Sequence, residues 1–194
     1  MTALRRWLSV WVEWLLFGCA LGCLGTFAYH TVEARRFQAE RAAEFARAAQ
    51  AYAPVAVRTG GLVGMLDVPR LNLVTPVIEG DDDKTLQRAV GHLPDTPLPW
   101  QDGNSAIAGH RDGLFRPLRD IEVGDEIRFR TSRAEYRYRV IETSVVAPDD
   151  VSVLEKRSQP LLTLITCYPF YYVGNAPKRF IIHAEREGEA SREP

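Results

Sequence analysis

The sequence predicts an all-β globular domain that follows a single membrane-spanning helix. Three observations lead to this prediction. A long apolar stretch occupies the N-terminal region from Trp7 to Tyr29. Short β-rich runs follow one another from Leu62 onward, and clusters of Gly, Pro, Asp and Asn separate them. Seven or eight such runs favour a closed barrel or a sandwich.

The N-terminal apolar stretch, "WLSVWVEWLLFGCALGCLGTFAY", contains one charged residue, Glu13. It matches the ~20 residues that a spanning helix requires, whereas the apolar core of a signal peptide has about 7–15. We therefore predict a transmembrane anchor. A signal peptide, including a lipoprotein signal ending at Cys19, is the alternative. Arginines flank the stretch on both sides, so the positive-inside rule leaves its orientation open.

The region between the anchor and the β-rich domain has two parts. The segment "TVEARRFQAERAAEFARAAQA", residues 31–51, is rich in alanine and charge and predicts a helix. The segment "APVAVRTGG", residues 53–61, has the proline and paired glycines typical of a linker. We therefore divide the chain into the N-terminus and anchor at 1–29, a helical stalk and linker at 30–61, the globular domain at 62–187, and a flexible tail at 188–194.

Two short helices are expected inside the globular domain. The segment "DDDKTLQRAV", residues 81–90, begins with acids that suit the positive end of a helix dipole. The segment "PDDVSVLE", residues 148–155, predicts a further helical turn.

Composition excludes several classes of function. The 24 basic and 25 acidic residues are interspersed and give a net charge of −1, so the chain has no electrostatic footprint for nucleic acid. No group of carboxylates has calcium-loop spacing, and we expect no metal or other cofactor. Three cysteines are too few for a disulfide framework, and Cys167 is the one cysteine of the globular part.

The candidate site residues are Cys167, His110 and Arg179. Cys167 ends the β-rich run "PLLTLITC", and His110 stands where the strand "SAIAGH" enters a glycine-containing loop. In the last strand, "KRFIIHA", alternation directs Phe180 and Ile182 into the core and Arg179 outward, at the start of the strand.

The other three histidines are weaker candidates. His30 lies at the predicted membrane edge, and His92 lies in a predicted proline-rich loop, "GHLPDTPLP". His183 lies within the last strand, about 13 Å from Arg179 at ~3.3 Å per residue.

A cysteine nucleophile requires a nearby base or cation, because its thiol is mostly protonated at neutral pH. A histidine can pass a proton to a leaving amine, and a guanidinium can stabilise an oxyanion. Spacing by itself leaves a second interpretation open, in which the cysteine packs as a hydrophobe, the histidine belongs to a loop and the arginine to the surface.

The sequence segments around all three residues resemble those of one enzyme family. "TLITC" resembles the strand end that carries the cysteine of the sortases, "AGHRD" is similar to their histidine loop, and "APKRF" is similar to the segment with their arginine. The longer segments "GNSAIAGHRDGLFRPLRDIEVGDEI", "VVAPDDVSVL" and "TLITCYPFYYVGNAPKRFI" most resemble class D sortases. The matches run in order through residues 62–186.

This resemblance implies an eight-stranded β-barrel cysteine transpeptidase, tethered by its N-terminal helix outside the cytoplasmic membrane of a bacterium. Cys167 would attack the threonine carbonyl of a Leu-Pro-x-Thr-Gly-type sorting signal and form a thioester. His110 would be the general acid and base, and Arg179 would bind the substrate and its oxyanion. The implied partners are surface proteins or pilins that carry the signal, and an amine acceptor such as a peptidoglycan precursor or a pilin lysine.

Two other functions compete with this interpretation. One is a different cell-wall peptidase or L,D-transpeptidase that also uses Cys and His, although the sequence lacks the S-H-G-C-type segment those transpeptidases resemble. The other is a non-catalytic module that binds surface proteins or pilins on the same barrel.

Three neighbouring features have two interpretations each. Asp112 either orients His110 or forms a surface ion pair with a nearby arginine. The segment "LPDTP", residues 93–97, is either a pseudo-substrate or a rigid loop. The aromatic residues after Cys167 either line a peptide groove or pack against one another; they are Tyr168, Phe170, Tyr171 and Tyr172.

Overall fold

The computed structural model describes residues 2–51, 58–171 and 174–187. The chain comprises two units, Met1–Phe37 and Gln38–Pro194. The expected tail and most of the expected linker lie outside the described residues. The described part contains a long N-terminal helix, one short α-helix and eight strands, which are α1 Thr2–Ala51, β1 Leu62–Val68, β2 Leu73–Glu79, α2 Asp83–Leu86, β3 Val90–His92, β4 Asn104–Gly109, β5 Glu126–Arg130, β6 Glu135–Val146, β7 Leu161–Tyr168 and β8 Lys178–Arg186.

Helix α1 continues without a break from the apolar stretch into the alanine-rich segment, as the sequence predicts. By length and composition, Trp14–Arg41 is a candidate membrane span, with a mean hydropathy of 1.5 over an 18-residue window. Its apolar side chains between Trp14 and Tyr29 are exposed. An exposed apolar segment of this length fits a helix that is long enough to span a membrane.

The eight strands close into a barrel in the order β1-β2-β3-β4-β7-β8-β6-β5. The pairs β2–β3 and β4–β7 are parallel, and the other neighbours are antiparallel. The all-β prediction is therefore confirmed, and so is the eight-stranded barrel that the family resemblance implies.

The barrel interior holds the hydrophobic core, because every second side chain of a strand points inward and most of these side chains are apolar. Tyr138 lies in this core and donates its hydroxyl hydrogen to the carbonyl of Pro99, and burial raises the pKa of this tyrosine to about 12. Each fully buried large apolar side chain contributes about 1.5–3 kcal/mol relative to exposure. Every strand supplies at least one core residue, including Leu66, Val77, Val90, Ile107, Ile127, Phe129, Tyr138, Val140, Leu162, Leu164, Ile182 and Ala184.

The segment between β2 and β4 differs from the prediction in two ways. The expected helix over residues 81–90 is confined to α2, whose N-cap Asp82 accepts hydrogen bonds from the amides of Lys84 and Thr85. Val90 instead begins strand β3, because its backbone pairs with β2. The assignment of His92 to a loop is therefore wrong: it ends β3 and its side chain is 1% exposed.

The expected helical turn at residues 148–155 is a 3₁₀ helix over Val151–Leu154. Two further 3₁₀ helices cover Pro69–Leu71 and Arg116–Asp120. These short elements connect strands, and the last of them adds the fully buried Leu118 to the core.

Gly91 is a position where the barrel tolerates no side chain. A Cβ atom there would lie 2.1 Å from the carbonyl oxygen of Gly80, and the Gly80 amide is held by the carbonyl of His92. We expect Gly91→Ala to lower the free energy of unfolding by about 1–3 kcal/mol through overpacking. Thermal or denaturant unfolding of the purified protein measures this change.

The matched control is Gly113→Ala, where a new Cβ would find its nearest atoms at 3.6 Å and 3.7 Å, an ordinary contact. Equal stability losses in the two variants would contradict the assigned close approach.

Candidate active site

Three adjacent strands bring His110, Cys167 and Arg179 to the same end of the barrel. In the antiparallel pair β7–β8, Cys167 lies directly opposite Arg179. In the parallel pair β4–β7, Gly109 pairs with Thr166, so the next residue along each chain places His110 beside Cys167. Directly opposite residues of antiparallel strands have Cβ atoms ~4.5–5.5 Å apart. The sequence-predicted residues are therefore neighbours.

The three residues also share one face of the sheet. Leu162 and Leu164 of β7 point into the core, so Thr163, Ile165 and Cys167 lie on the outer face. Residues that pair across neighbouring strands share that face and form rows across the sheet. Successive rows lie about 6.6 Å apart along the strands. The rows are His110, Cys167 and Arg179, then Ala108, Ile165 and Ile181, then Ala106, Thr163 and His183.

Backbone contacts hold the end of β4 in place. The Thr166 hydroxyl donates to the carbonyl of Gly109 at 2.7 Å, which joins β7 to β4 one residue before His110. The His110 carbonyl accepts from the amides of Gly113 and Phe115 at 3.2 and 3.3 Å. Phe115 is fully buried and packs so closely on Gly109 that a Cβ there would lie 2.7 Å from its ring. His110 therefore projects from an anchored turn.

The guanidinium of Arg179 binds the loop that precedes it. Its Nη1 donates to the carbonyls of Lys178 at 3.1 Å and Ala176 at 3.4 Å. Arg179, Cys167 and His110 are all of intermediate exposure. The thiol, the imidazole and the guanidinium thus lie where a solvent-borne substrate can approach them.

A buried hydrogen-bond chain, which the sequence analysis missed, lies two rows below Cys167. Asn104 donates from Nδ2 to the carbonyls of Val153 at 2.9 Å and Glu155 at 3.4 Å, so its Oδ1 faces Thr163. The Thr163 hydroxyl has one proton and donates it to Asn104 Oδ1 at 2.6 Å.

The direction of this chain fixes which ring nitrogen of His183 carries a proton. Because Thr163 Oγ1 has no second proton to give, His183 Nδ1, at 3.0 Å, must be the donor. Burial lowers the pKa of His183, with a smaller opposing effect of Glu142 and a smaller additional effect of Arg157. His183 is thus a neutral structural histidine that joins β8 to β7 and, through Asn104, to the segment between β6 and β7.

Comparison with known proteins identifies the family. A family model described as the sortase domain matches residues 66–187. Sortase D of Bacillus subtilis (strain 168) is 41% identical over 129 residues, which cover 66% of this chain and 65% of that protein. The chain therefore spans slightly less than two thirds of the length of that relative.

Solved structures agree with the sequence comparison. A Clostridium perfringens Sortase D5 transpeptidase has a TM-score of 0.66 at 25% identity, over 79% of this chain and 98% of that chain. Sortase C1 of Streptococcus agalactiae has a TM-score of 0.63 at 30% identity, over 69% of this chain and 72% of that chain. This chain belongs to the sortase family. Sortases are cysteine transpeptidases and are generally membrane-associated.

The segment "LPDTP" of this sortase is folded into the loop between β3 and β4. The amide and hydroxyl of Thr96 both donate to the carbonyl of Leu93, at 3.0 and 2.8 Å, and the hydroxyl also accepts from the amide of Ala106. The ring of His92 lies between Glu79 Oε2 at 2.8 Å and the carbonyl of Pro97 at 3.0 Å. A segment held by these bonds is a rigid loop rather than an extended peptide.

A cleft of about 610 Å³ lies at the other end of β4 from His110. Asn104, which borders the cleft, is six residues before His110, about 20 Å along an extended strand. The cleft is lined by residues 93–97 and by Leu154, Lys156 and Arg157, and none of the three candidate site residues borders it. It is therefore separate from the thiol.

The other residues described near the site either pack against one another or are exposed to solvent. Tyr168, Phe170 and Phe180 pack against one another with ring centroids 5.6–6.2 Å apart. Tyr171 is 75% exposed, and Tyr172 lies outside the described residues. Asp112 is exposed, and within the described ranges it forms neither of the two expected contacts, with His110 or with an arginine. In the same ranges, no group of three His, Cys, Asp or Glu residues is arranged to hold a metal ion.

The neutral His183 makes folding stability depend on pH. Because burial lowers its pKa below the ordinary value of about 6.5, the unfolded chain takes up this proton at a higher pH than the folded chain. The free energy of unfolding should therefore fall as the pH drops from about 7 towards 5. Denaturant unfolding at a series of pH values measures this slope.

The control variant is His183→Asn, whose amide can donate to Thr163 in place of Nδ1 but does not titrate. In this variant, the free energy of unfolding should change less between about pH 7 and 5 than in the native protein. This range lies above the pH at which protonation of carboxylates such as Asp125 lowers that free energy. An unchanged slope in this variant would show that another group is responsible.

Proposed function

We propose that this chain is a membrane-anchored cysteine transpeptidase that cleaves a Leu-Pro-x-Thr-Gly-type sorting signal after its threonine. One observation carries the proposal: the strand register places His110, Cys167 and Arg179 on one face, at the common end of three adjacent strands. Membership of the sortase family supports the reaction class.

The first step forms a thioester. The Cys167 sulfur, as the thiolate, attacks the carbonyl carbon of the threonine, and the peptide bond between threonine and glycine breaks. The imidazolium of His110 gives its proton to the departing amine, because a neutral amine is a far better leaving group. The products of this step are the acylated Cys167 and a free glycine amine.

The second step transfers the acyl group. A primary amine attacks the thioester carbonyl, His110 accepts the proton that the amine loses, and the sulfur leaves as thiolate. The acceptor is a peptidoglycan precursor or a pilin lysine, and the acyl donor is a surface protein or pilin that carries the signal. No cofactor enters this scheme.

Arg179 stabilises the negative oxygen of the tetrahedral intermediates. It lies opposite Cys167 in the ladder, and its contacts with two carbonyls at 3.1 and 3.4 Å leave other guanidinium hydrogens for a substrate oxygen. A fixed cation next to a developing oxyanion is worth more in the transition state than in the ground state.

The N-terminal helix anchors the enzyme with its barrel outside the cytoplasm. The apolar span within α1 and the general membrane association of sortases support this arrangement. The acceptor amines named above lie on that side of the membrane.

The full-length protein in detergent, mixed with a Leu-Pro-x-Thr-Gly peptide and an amine, should form a thioester on Cys167 that intact-protein mass spectrometry detects. Cys167→Ala should abolish both the adduct and the product. His110→Ala should lower the rate by about 10²–10⁴-fold. Arg179→Lys should lower it by about 10²-fold, because an ammonium does not reproduce the planar guanidinium.

Three outcomes would contradict the assignment. Activity in Cys167→Ala would remove the proposed nucleophile. Cleavage of muropeptides without cleavage of any sorting peptide would favour another cell-wall peptidase. Peptide binding without turnover, equal in the native protein and in Cys167→Ala, would favour a non-catalytic binding module.

The proposed topology has its own test. Protease added to cells stripped of their wall should digest residues 58–187 while the cytoplasmic membrane stays intact, because the barrel is expected outside. A cytoplasmic marker protein serves as the control for membrane integrity. Full protection of the barrel until detergent is added would reverse the assignment.

A further inference from the structure

Arg111, the residue after His110, is a buried charged side chain at the edge of the site. It is 8% exposed, whereas its neighbours Asp112 and Arg116 are exposed. A guanidinium keeps its charge in a protein, so burying it is costly unless its hydrogens are bonded. A buried arginine at this position therefore indicates a specific contact rather than a requirement of the core.

Arg111 crosses from the histidine loop to the loop between β7 and β8. Its Nη2 donates to the carbonyl of Gly174 at 2.9 Å. Gly174 lies seven residues after Cys167 and five before Arg179 in the sequence. One side chain therefore connects the segment that carries His110 to the segment that joins the other two site residues.

The same loop also holds Arg179. The carbonyls of Ala176 and Lys178 accept hydrogen bonds from Arg179 Nη1. Residues 174–178 thus present three main-chain carbonyls to two guanidinium groups, those of Arg111 and Arg179. A displacement of residues 174–178 would move the groups that orient Arg179.

These contacts close a ring. Arg111 follows His110 covalently and binds Gly174, and the chain continues from Gly174 to Arg179, which pairs with Cys167 across the ladder. The pairing of β7 with β4 then leads back from Cys167 to His110. The turn at His110 is itself fixed by the hydrogen bonds that its carbonyl accepts from two backbone amides. A ring of covalent and hydrogen bonds restricts the relative positions of its members more than the strand ladder does by itself.

We propose that Arg111 is a positioning residue, which holds the histidine loop and the β7–β8 loop at the separation that aligns His110, Cys167 and Arg179 for acyl transfer. This inference rests on the proposed function. It assigns Arg111 no contact with substrate.

Arg111→Met, which keeps the length and removes the donor, should lower kcat for transpeptidation by about 10- to 100-fold, because small misplacements of reacting groups are costly. KM should change by less than about twofold, since substrate contacts are kept. Arg111→Lys, which retains a charged donor for Gly174, should recover part of kcat. The full-length protein in detergent, a Leu-Pro-x-Thr-Gly peptide and an amine are used, at a temperature where every variant is folded.

Arg116→Met is the matched control, because Arg116 is an exposed arginine five residues further along the same segment; its kcat should equal that of the native protein. A folded Arg111→Met with native kcat, or equal kcat in Arg111→Met and Arg111→Lys, would overturn the inference. If Arg111→Met does not fold, Arg111→Leu, which also lacks a donor, replaces it with the same expected loss. Absence of any thioester in the native protein would instead refute the proposed function, so the two failures are distinguishable.

Discussion

The register of β7 against its two neighbours is the constraint on which the candidate site depends. β7 runs parallel to β4, so both strands end at the same side of the barrel, and it runs antiparallel to β8, so β8 begins there. This arrangement makes neighbours of His110, Cys167 and Arg179. A slip of one residue would turn the thiol towards the core, because side chains alternate with a period of two.

Several independent interactions fix that register. Leu162 and Leu164 occupy the core and would be exposed by a slip. On the outer face, Thr163 bonds to both Asn104 and His183, and these hydroxyl contacts exist in one register only. The inner face of β7 therefore supplies stability, while the outer face supplies the polar groups that set the alignment of three strands.

Main-chain carbonyls bind the guanidinium groups of Arg111 and Arg179. The loop between β7 and β8 offers carbonyl oxygens to Arg111 and Arg179, and neither contact neutralises a charge. A cation that is solvated by dipoles keeps its full charge for a developing oxyanion, whereas a carboxylate partner would offset it. Dipoles at residues 174–178 therefore orient the guanidinium of Arg179, which pairs with Cys167 in the ladder.

The sequence by itself determined the apolar helix, the all-β class and the alternation in the last strand, because each depends on local periodicity that one segment contains. Cys167, His110 and Arg179 were singled out by strand ends and loop context, and the order of their motifs indicated the family. The strand register, strand β3, the burial of His92, and the chain from His183 to Asn104 were decided by tertiary structure alone. Each of these depends on which distant strands pair, and a three-residue strand such as β3 has too few residues to show a period. Arg111 is the clearest case. In the sequence it reads as an ordinary exposed arginine, and only the fold brings the carbonyl of Gly174 to its guanidinium.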